Sequence, residues 1–329
     1  MIDRKKKAGA PFAEAGEPVD AGGHLLKDDR PGVVAIPGAG DMAPARKTRT
    51  LAGDAWLRLR RNKLAIAGLV WIVFITIMTV SADLWAPQFF ADPTSTEFEG
   101  LQSPSAAHPF GTDRIGRDVF SRVVYGARPS LSVGVLAVSI SLVLGLIFGA
   151  LSGYYGGLLD SFIMRTADVF FAFPYMLFTI ALLAVLGPGL QNVFIAIGIL
   201  GWPSIARVFR SSILSVKETE YVDAARAMGA SDLRIMSRHI LPNAIAPIIV
   251  YGTMSIGGAI ITEAALSYLG MGVQAPTPSW GSMLSEAKAL MTAAPWLTIW
   301  PGFAILTTVL SFVLMGDGMR DALDVKMKD

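Results

Sequence analysis

The 329-residue chain contains no cysteine, so disulfides, thiolate metal sites and cysteine nucleophiles are excluded from its chemistry. Histidine is nearly as scarce. His24, His108 and His239 are scattered and none lies inside an apolar run, so a metal path through the membrane has no imidazoles to build it. Charge is also thin, at 16% of residues, and the formal net charge is only +2, which implies no nucleic-acid partner. No Gly-x-x-x-x-Gly-Lys-Ser/Thr stretch occurs, so the phosphate cradle of a P-loop ATPase is missing. No HExxH pair and no GxSxG elbow occur either, leaving a membrane protease or lipase without a metal site or nucleophile. The chain is read as non-catalytic, with no cofactor of its own.

What is present is apolar: 53% hydrophobic residues and a positive mean hydropathy point to an all-α integral membrane protein. Residues 1–50 are rich in Gly, Pro and Ala without apolar periodicity, which predicts a disordered tail. Arg4, Lys5, Lys6 and Lys7 lack the apolar core of a signal peptide behind them, so the first span is expected to be an uncleaved anchor.

Uncharged runs predict six transmembrane helices. The first covers Leu64–Ala82 and the second lies within 129–159, centred on Leu131–Leu151. The run 169–206 is too long for one crossing, and Gly187, Pro188, Gly189, Gln191 and Asn192 divide it into a helix ending near Leu186 and another starting near Val193. Residues 240–262 and 289–316 supply the last two. Basic residues gather before the first span (Arg46, Lys47, Arg49, Arg58, Arg60, Arg61, Lys63) and between spans four and five (Arg207, Arg210, Lys217, Arg226, Arg234, Arg238). Positive flanks are retained inside, so both termini are expected on the cytoplasmic side, with 84–128 outside. Gly145, Gly149 and Gly153 share one helical face, as expected for close packing inside a bundle.

The segment between spans four and five runs Glu220-Tyr221-Val222-Asp223-Ala224-Ala225-Arg226-Ala227-Met228-Gly229 and on to Leu241-Pro242. Gly229 suits the left-handed residue that ends a helix, Ser231 can cap the next, and Pro242 can start or redirect the one that follows. Small side chains at 224, 225 and 227 leave a slender helix able to lie in a groove on another protein. An ordinary cytoplasmic helical hairpin is the plainer alternative.

This stretch resembles the EAA loop of ABC importer permeases: Glu-Ala-Ala, three residues, Gly, then a spacer ending in Leu-Pro. Asp223 stands where that family usually has Glu, and His239 where it has Ile; neither alters the spacing from Gly229 to Pro242. Three further stretches resemble the C-type permease subunit of the dipeptide, oligopeptide and nickel branch. They are His108-Pro109-Phe110-Gly111-Thr112-Asp113-Arg114-Ile115-Gly116-Arg117-Asp118-Val119, Leu266-Ser267-Tyr268-Leu269-Gly270 with Pro276–Gly281, and Gly316–Asp324.

The resemblance covers about residues 52–329 and implies a MetI-like type I ABC importer permease fold. It divides the chain into a tail (1–50), a first transmembrane helix with its external loop (51–128), and a core permease domain (129–329) whose coupling loop lies at about 215–243. It further implies ATPase-coupling roles for Tyr221, Asp223, Ala224, Ala225, Arg226, Gly229, Leu241 and Pro242. The implied partners are a homologous second permease subunit, two cytoplasmic ATPase subunits holding ATP and Mg, an external substrate-binding protein and the bilayer of a prokaryotic inner membrane. Di- or oligopeptides lead as substrate, ahead of nickel, a metal chelate or another small solute. A secondary transporter driven by an ion gradient is disfavoured, because polar groups within the spans are few.

Two sets of charges complete the expectations. Asp113, Arg117 and Asp118, with Trp280, read either as local bracing of the external mouth or as a docking surface, Trp280 being an interfacial anchor. Asp160, Arg165, Asp168 and Arg207 lie where opposite charges can pair at helix ends. Glu263, following a long uncharged run, either lines a pathway or has a structural partner.

Overall fold

The computed structural model describes residues 51–89 and 92–323, and every regular element among them is helical. The expected tail at 1–50 lies outside the described residues. In chain order the helices are α1 (Leu51–Leu59), α2 (Lys63–Val80), α3 (Ala82–Phe89), α4 (Val119–Tyr155), α5 (Gly157–Phe171), α6 (Tyr175–Leu186) and α7 (Leu190–Lys217). Then come α8 (Glu220–Ala227), α9 (Asp232–Arg234), α10 (Leu241–Ala244), α11 (Ala246–Tyr268), α12 (Trp280–Ala287) and α13 (Trp296–Leu323). Helices α2, α4, α7, α11 and α13 are each long and apolar enough to cross a membrane, and a sixth span exists if the bent pair α5 and α6 is counted as one.

That bent pair corrects one expectation. The apolar residues from 169 to Leu186 do not form a single helix: α5 and α6 meet at 89° across Ala172, Phe173 and Pro174. Pro174 has no amide to continue the ladder, and an uninterrupted apolar composition hides the break. With 12 residues, α6 is about 18 Å long, short of the ~30 Å hydrocarbon thickness, so it does not cross alone, and the bent pair is either one broken span or a re-entrant segment.

The second boundary also moves. Helix α4 begins at Val119, ten residues before the uncharged run, because Arg122 and Arg128 are accommodated within it by partners. Arg128 reaches Asp83 at 2.9 Å and donates to the Thr79 carbonyl at 3.1 Å. The fifth and sixth spans are displaced toward the C-terminus, to Ala246–Tyr268 and Trp296–Leu323, and a short helix, α12, lies between them in the chain.

Packing follows the small residues. A methyl group on Gly145 would stand 2.6 Å from Ile205 Cβ, one on Gly149 2.8 Å from the Ala206 carbonyl, and one on Gly153 3.0 Å from Ile213 Cβ. The glycine stripe therefore lets α4 and α7 approach backbone to backbone, as expected for a bundle without a strong hydrophobic drive between its helices. Below this seam Phe209 and Ile213 of α7 form one core with Val222, Ala225, Ile235 and Ile240. At the other end Trp280 packs with Ala127, Ile260, Ala304 and Phe312.

Candidate functional site

The segment after α7 folds as a helix lying on the end of the bundle. Val222 and Ala225 are buried in the core just described, while Tyr221, Asp223, Ala224, Arg226 and Ala227 are exposed. Arg226 Nη1 pairs with Asp223 Oδ1 at 3.2 Å across one turn. Gly229 has φ +79°, the Gly229 amide donates to Arg226 O, and the Ala230 amide donates to Ala225 O. Those two bonds make a complete Schellman motif, so Gly229 ends α8 in the left-handed conformation that its type suits. Met228, 81% exposed, and Leu233 stand out into solvent with Tyr221, an apolar edge left uncovered among the described residues.

The expected break at Gly229 is present, and what differs is how the next helix starts and continues. Ser231 occupies the N-cap position of α9 without a side-chain capping bond, and a π-helical turn over Ile235–Ile240 leads directly into Leu241 and Pro242. Pro242 cannot donate to the carbonyl four residues back, and the widened ladder before it accommodates that loss. Leu241 and Pro242 are exposed on the same end of the molecule. Tyr154, at the end of α4, donates a 2.6 Å hydrogen bond to Asp232, and Lys217 donates to the Tyr154 carbonyl at 2.5 Å. Asp160 receives both Nε and Nη2 of Arg210 at 2.6 Å, and also pairs with Ser152. Asp168 and Arg207 form a 2.7 Å pair with both side chains half exposed, a geometry that contributes at most about 1 kcal/mol.

The opposite end corrects the docking expectation for Trp280. Its side chain is 0% exposed and its indole N–H donates to the Val123 carbonyl at 2.9 Å, so it cannot touch an external protein. Ser279 and Ser282 form a capping box that starts α12 at this position and turns the indole inward. Asp118 is likewise internal: it caps α4 by accepting from the Ser121 amide at 2.8 Å and lies 2.9 Å from His108 Nδ1. Asp113 accepts the amides of Ile115 and Arg117 and the Arg117 Nε at 2.5 Å. Sequence reasoning missed Glu286, which takes Arg117 Nη2 at 2.5 Å and Arg122 Nη2 at 3.1 Å. These partners are more than 160 residues apart, beyond any local spacing rule.

Glu263 lies inside α11, in its last two turns, and is 0% exposed. Ser130 Oγ of α4 donates to Oε2 at 2.8 Å and Ser267 Oγ to Oε1 at 2.7 Å. It does not line the cavity of about 240 Å³ found between α4, α6, α7 and α11. That cavity is walled instead by hydroxyls and small residues, among them Ser141, Tyr175, Ser204, Tyr251, Ser255 and Thr262. Tyr251, Ser255, Gly258 and Thr262 recur at helical spacing, a polar stripe that could have been read within the apolar run. Among the described residues no group of three or more His, Asp or Glu side chains converges as a metal site would.

Comparison with known proteins places this geometry in a family. Residues 145–329 match the family model for the binding-protein-dependent transport system inner membrane component. Residues 50–104 match the model for the N-terminal TM domain of oligopeptide transport permease C. The chain is 47% identical over 275 residues to the dipeptide transport system permease protein DppC of Alkalihalophilus pseudofirmus, covering 84% of this chain and 90% of that protein. It is 45% identical over 283 residues to the glutathione transport system permease protein GsiD of Escherichia coli, covering 86% and 93%. Among solved structures, an inward-facing form of the MetNI methionine ABC transporter shares the fold with a TM-score of 0.51 at 19% identity, over 61% of this chain and 94% of that one. An amino acid ABC transporter solved with histidines gives 0.50 at 17%, over 60% and 92%. With an all-helical bundle, an exposed Schellman-ended helix on one end and these relatives, the chain belongs to the inner membrane permease components of binding-protein-dependent ABC importers.

Proposed function

We propose that this permease subunit serves an importer of short peptides, supplying half of the translocation path while ATP and Mg are bound by two cytoplasmic ATPase subunits. The observation that carries the coupling role is α8 itself. Its inner residues Val222 and Ala225 are anchored in the bundle core, while Tyr221, Ala224 and Met228 are left uncovered, as are Leu241 and Pro242. A helix held from behind and bare in front transmits a push to the bundle it is anchored in. Asp223 and Arg226 frame that face, and Gly229 ends it at a fixed point.

Peptide as the substrate class rests on the names of the dipeptide and glutathione relatives, and the hydroxyl-walled cavity suits it. Uncharged hydroxyls can hydrogen-bond to a zwitterionic solute without selecting one net charge. Selection then falls to an external substrate-binding protein. A homologous second permease would close the open face of α11 around Gly258, where nothing stands within 4 Å. Within this reading both termini are cytoplasmic in a prokaryotic inner membrane. Residues 51–128 add an entry helix with its external loop, 129–329 form the core, and 215–243 couple.

The test is co-purification with uptake. Tagged protein should bring down an ATPase, and vesicles carrying the complex and its binding protein should take up dipeptide only with ATP. Uptake that follows a proton or sodium gradient without ATP would overturn the reading.

A further inference from the structure

At the end of the bundle away from α8 lies a second cavity of about 240 Å³, between the start of α4 and α12. Three guanidinium groups, Arg114, Arg117 and Arg122, face two carboxylates, Asp113 and Glu286, around it, so the site carries an excess positive charge. Arg117 spends its donors on Asp113 and Glu286. Arg122 is different. It is only 2% exposed, its Nη2 serves Glu286, and its Nη1 is buried without any hydrogen-bond partner. The charge itself is paired with Glu286, but a buried N–H without an acceptor is destabilising unless something satisfies it. The rest of the wall is apolar, with Met283 and Leu290 opposite the cation.

We propose that this cavity is a binding site for one carboxylate group on a small solute, with the Arg122 guanidinium in its wall, Arg114 at the rim and the Met283 and Leu290 surface receiving a short side chain. A guanidinium beside an apolar floor fits a carboxylate on a small aliphatic residue, as at the end of a peptide. The volume lies below the ~300–1,000 Å³ of sites that enclose a drug-sized ligand, so it takes one terminal residue and not a whole peptide. Glu286, with its side chain 44% exposed, competes for the same guanidinium groups and keeps the site from holding its guest tightly. That is the behaviour a transit site requires.

The experiment uses the full chain with its co-purifying subunits in lipid nanodiscs, and saturation-transfer NMR with N-acetylalanine and its neutral amide as probes. The carboxylate should bind at least about tenfold more tightly than the amide. Glu286→Gln should tighten carboxylate binding about tenfold, because it removes the internal competitor and leaves the three cations facing one carboxylate. A merely structural ion-pair cluster would give no such gain. Arg122→Lys, whose single ammonium is claimed by Glu286, should abolish the preference for the carboxylate. Ala287→Leu, which fills the cavity from its apolar side, should do the same without touching a charge. Equal binding of acid and amide in the unmodified protein, or no gain in Glu286→Gln, would overturn the proposal.

Discussion

Tyr154 and Asp232, 78 residues apart, are joined by a 2.6 Å hydrogen bond that ties the last turn of α4 to the segment following α8. A membrane helix is thereby fastened to the element proposed to meet the ATPase. Tyr154→Phe removes the hydroxyl that bonds Asp232 and also meets Arg226, a loss of about 1 kcal/mol or roughly fivefold in an equilibrium for the Asp232 bond. Uptake per ATP hydrolysed should fall by that order, with insertion unchanged. Asp232→Ala should give a similar fall, and the double variant should be no worse than either single one. An additive double variant would show that the two side chains act separately.

Gly229 has φ +79° and open space where a side chain would stand, so a substitution there is penalised by backbone strain and not by a clash. Gly229→Val should cost about 1–2 kcal/mol in the left-handed conformation and unwind the end of α8. The expected result is loss of ATPase in a pull-down while membrane insertion is normal. Gly229→Ala should show the same defect more weakly. Retention of the ATPase in both variants would mean that the geometry of this turn is not used in docking.

Glu263 gathers two hydroxyls, and the Val273 amide in turn donates to Ser267 Oγ at 3.1 Å, so one carboxyl group organises α4, α11 and the start of the next loop. Glu263→Leu strands both hydroxyls at a cost of about 1–2 kcal/mol each, whereas Glu263→Gln keeps an acceptor. The melting temperature in detergent should drop clearly for Leu and little for Gln. Equal stability of the two, with transport lost in both, would instead point to a role in the path.

Trp280 is buried to 0% exposure with its indole N–H satisfied. Trp280→Ala should therefore destabilise by about 3–5 kcal/mol, through a cavity between α4, α11 and α13. The measurement is the yield and thermal stability of folded protein, which should fall before transport can be assayed. A stable variant that has lost only transport would restore a direct functional role.

The parts of this fold that were legible in the sequence are those set by composition alone. Leu64–Ala82 lies close to α2, and Gly145, Gly149 and Gly153 meet α7 because only glycine permits that approach. Gly229 ends α8 because its preference for a positive φ is intrinsic. Legibility failed where a tertiary partner changes what a residue can tolerate. Arg122 and Arg128 looked like loop residues, yet Glu286 and Asp83 hold them on the first turns of α4. Pro174 lies in an apolar run, where hydropathy reports burial in lipid but not direction. Trp280 was read as an interfacial anchor because aromatic residues near spans often are, and only the packing of α12 shows otherwise.

Helix α4 begins three residues before Arg122 and ends one residue after Tyr154. At 37 residues it is about 55 Å long, longer than the hydrocarbon layer is thick. On the coupling role proposed above it is a pushrod, carrying a tilt delivered through Tyr154 along a helix whose ladder lacks one amide, at Pro129, toward the guanidinium at the far end. Under the two proposals above, loading at one face and hydrolysis at the other would act on this one helix.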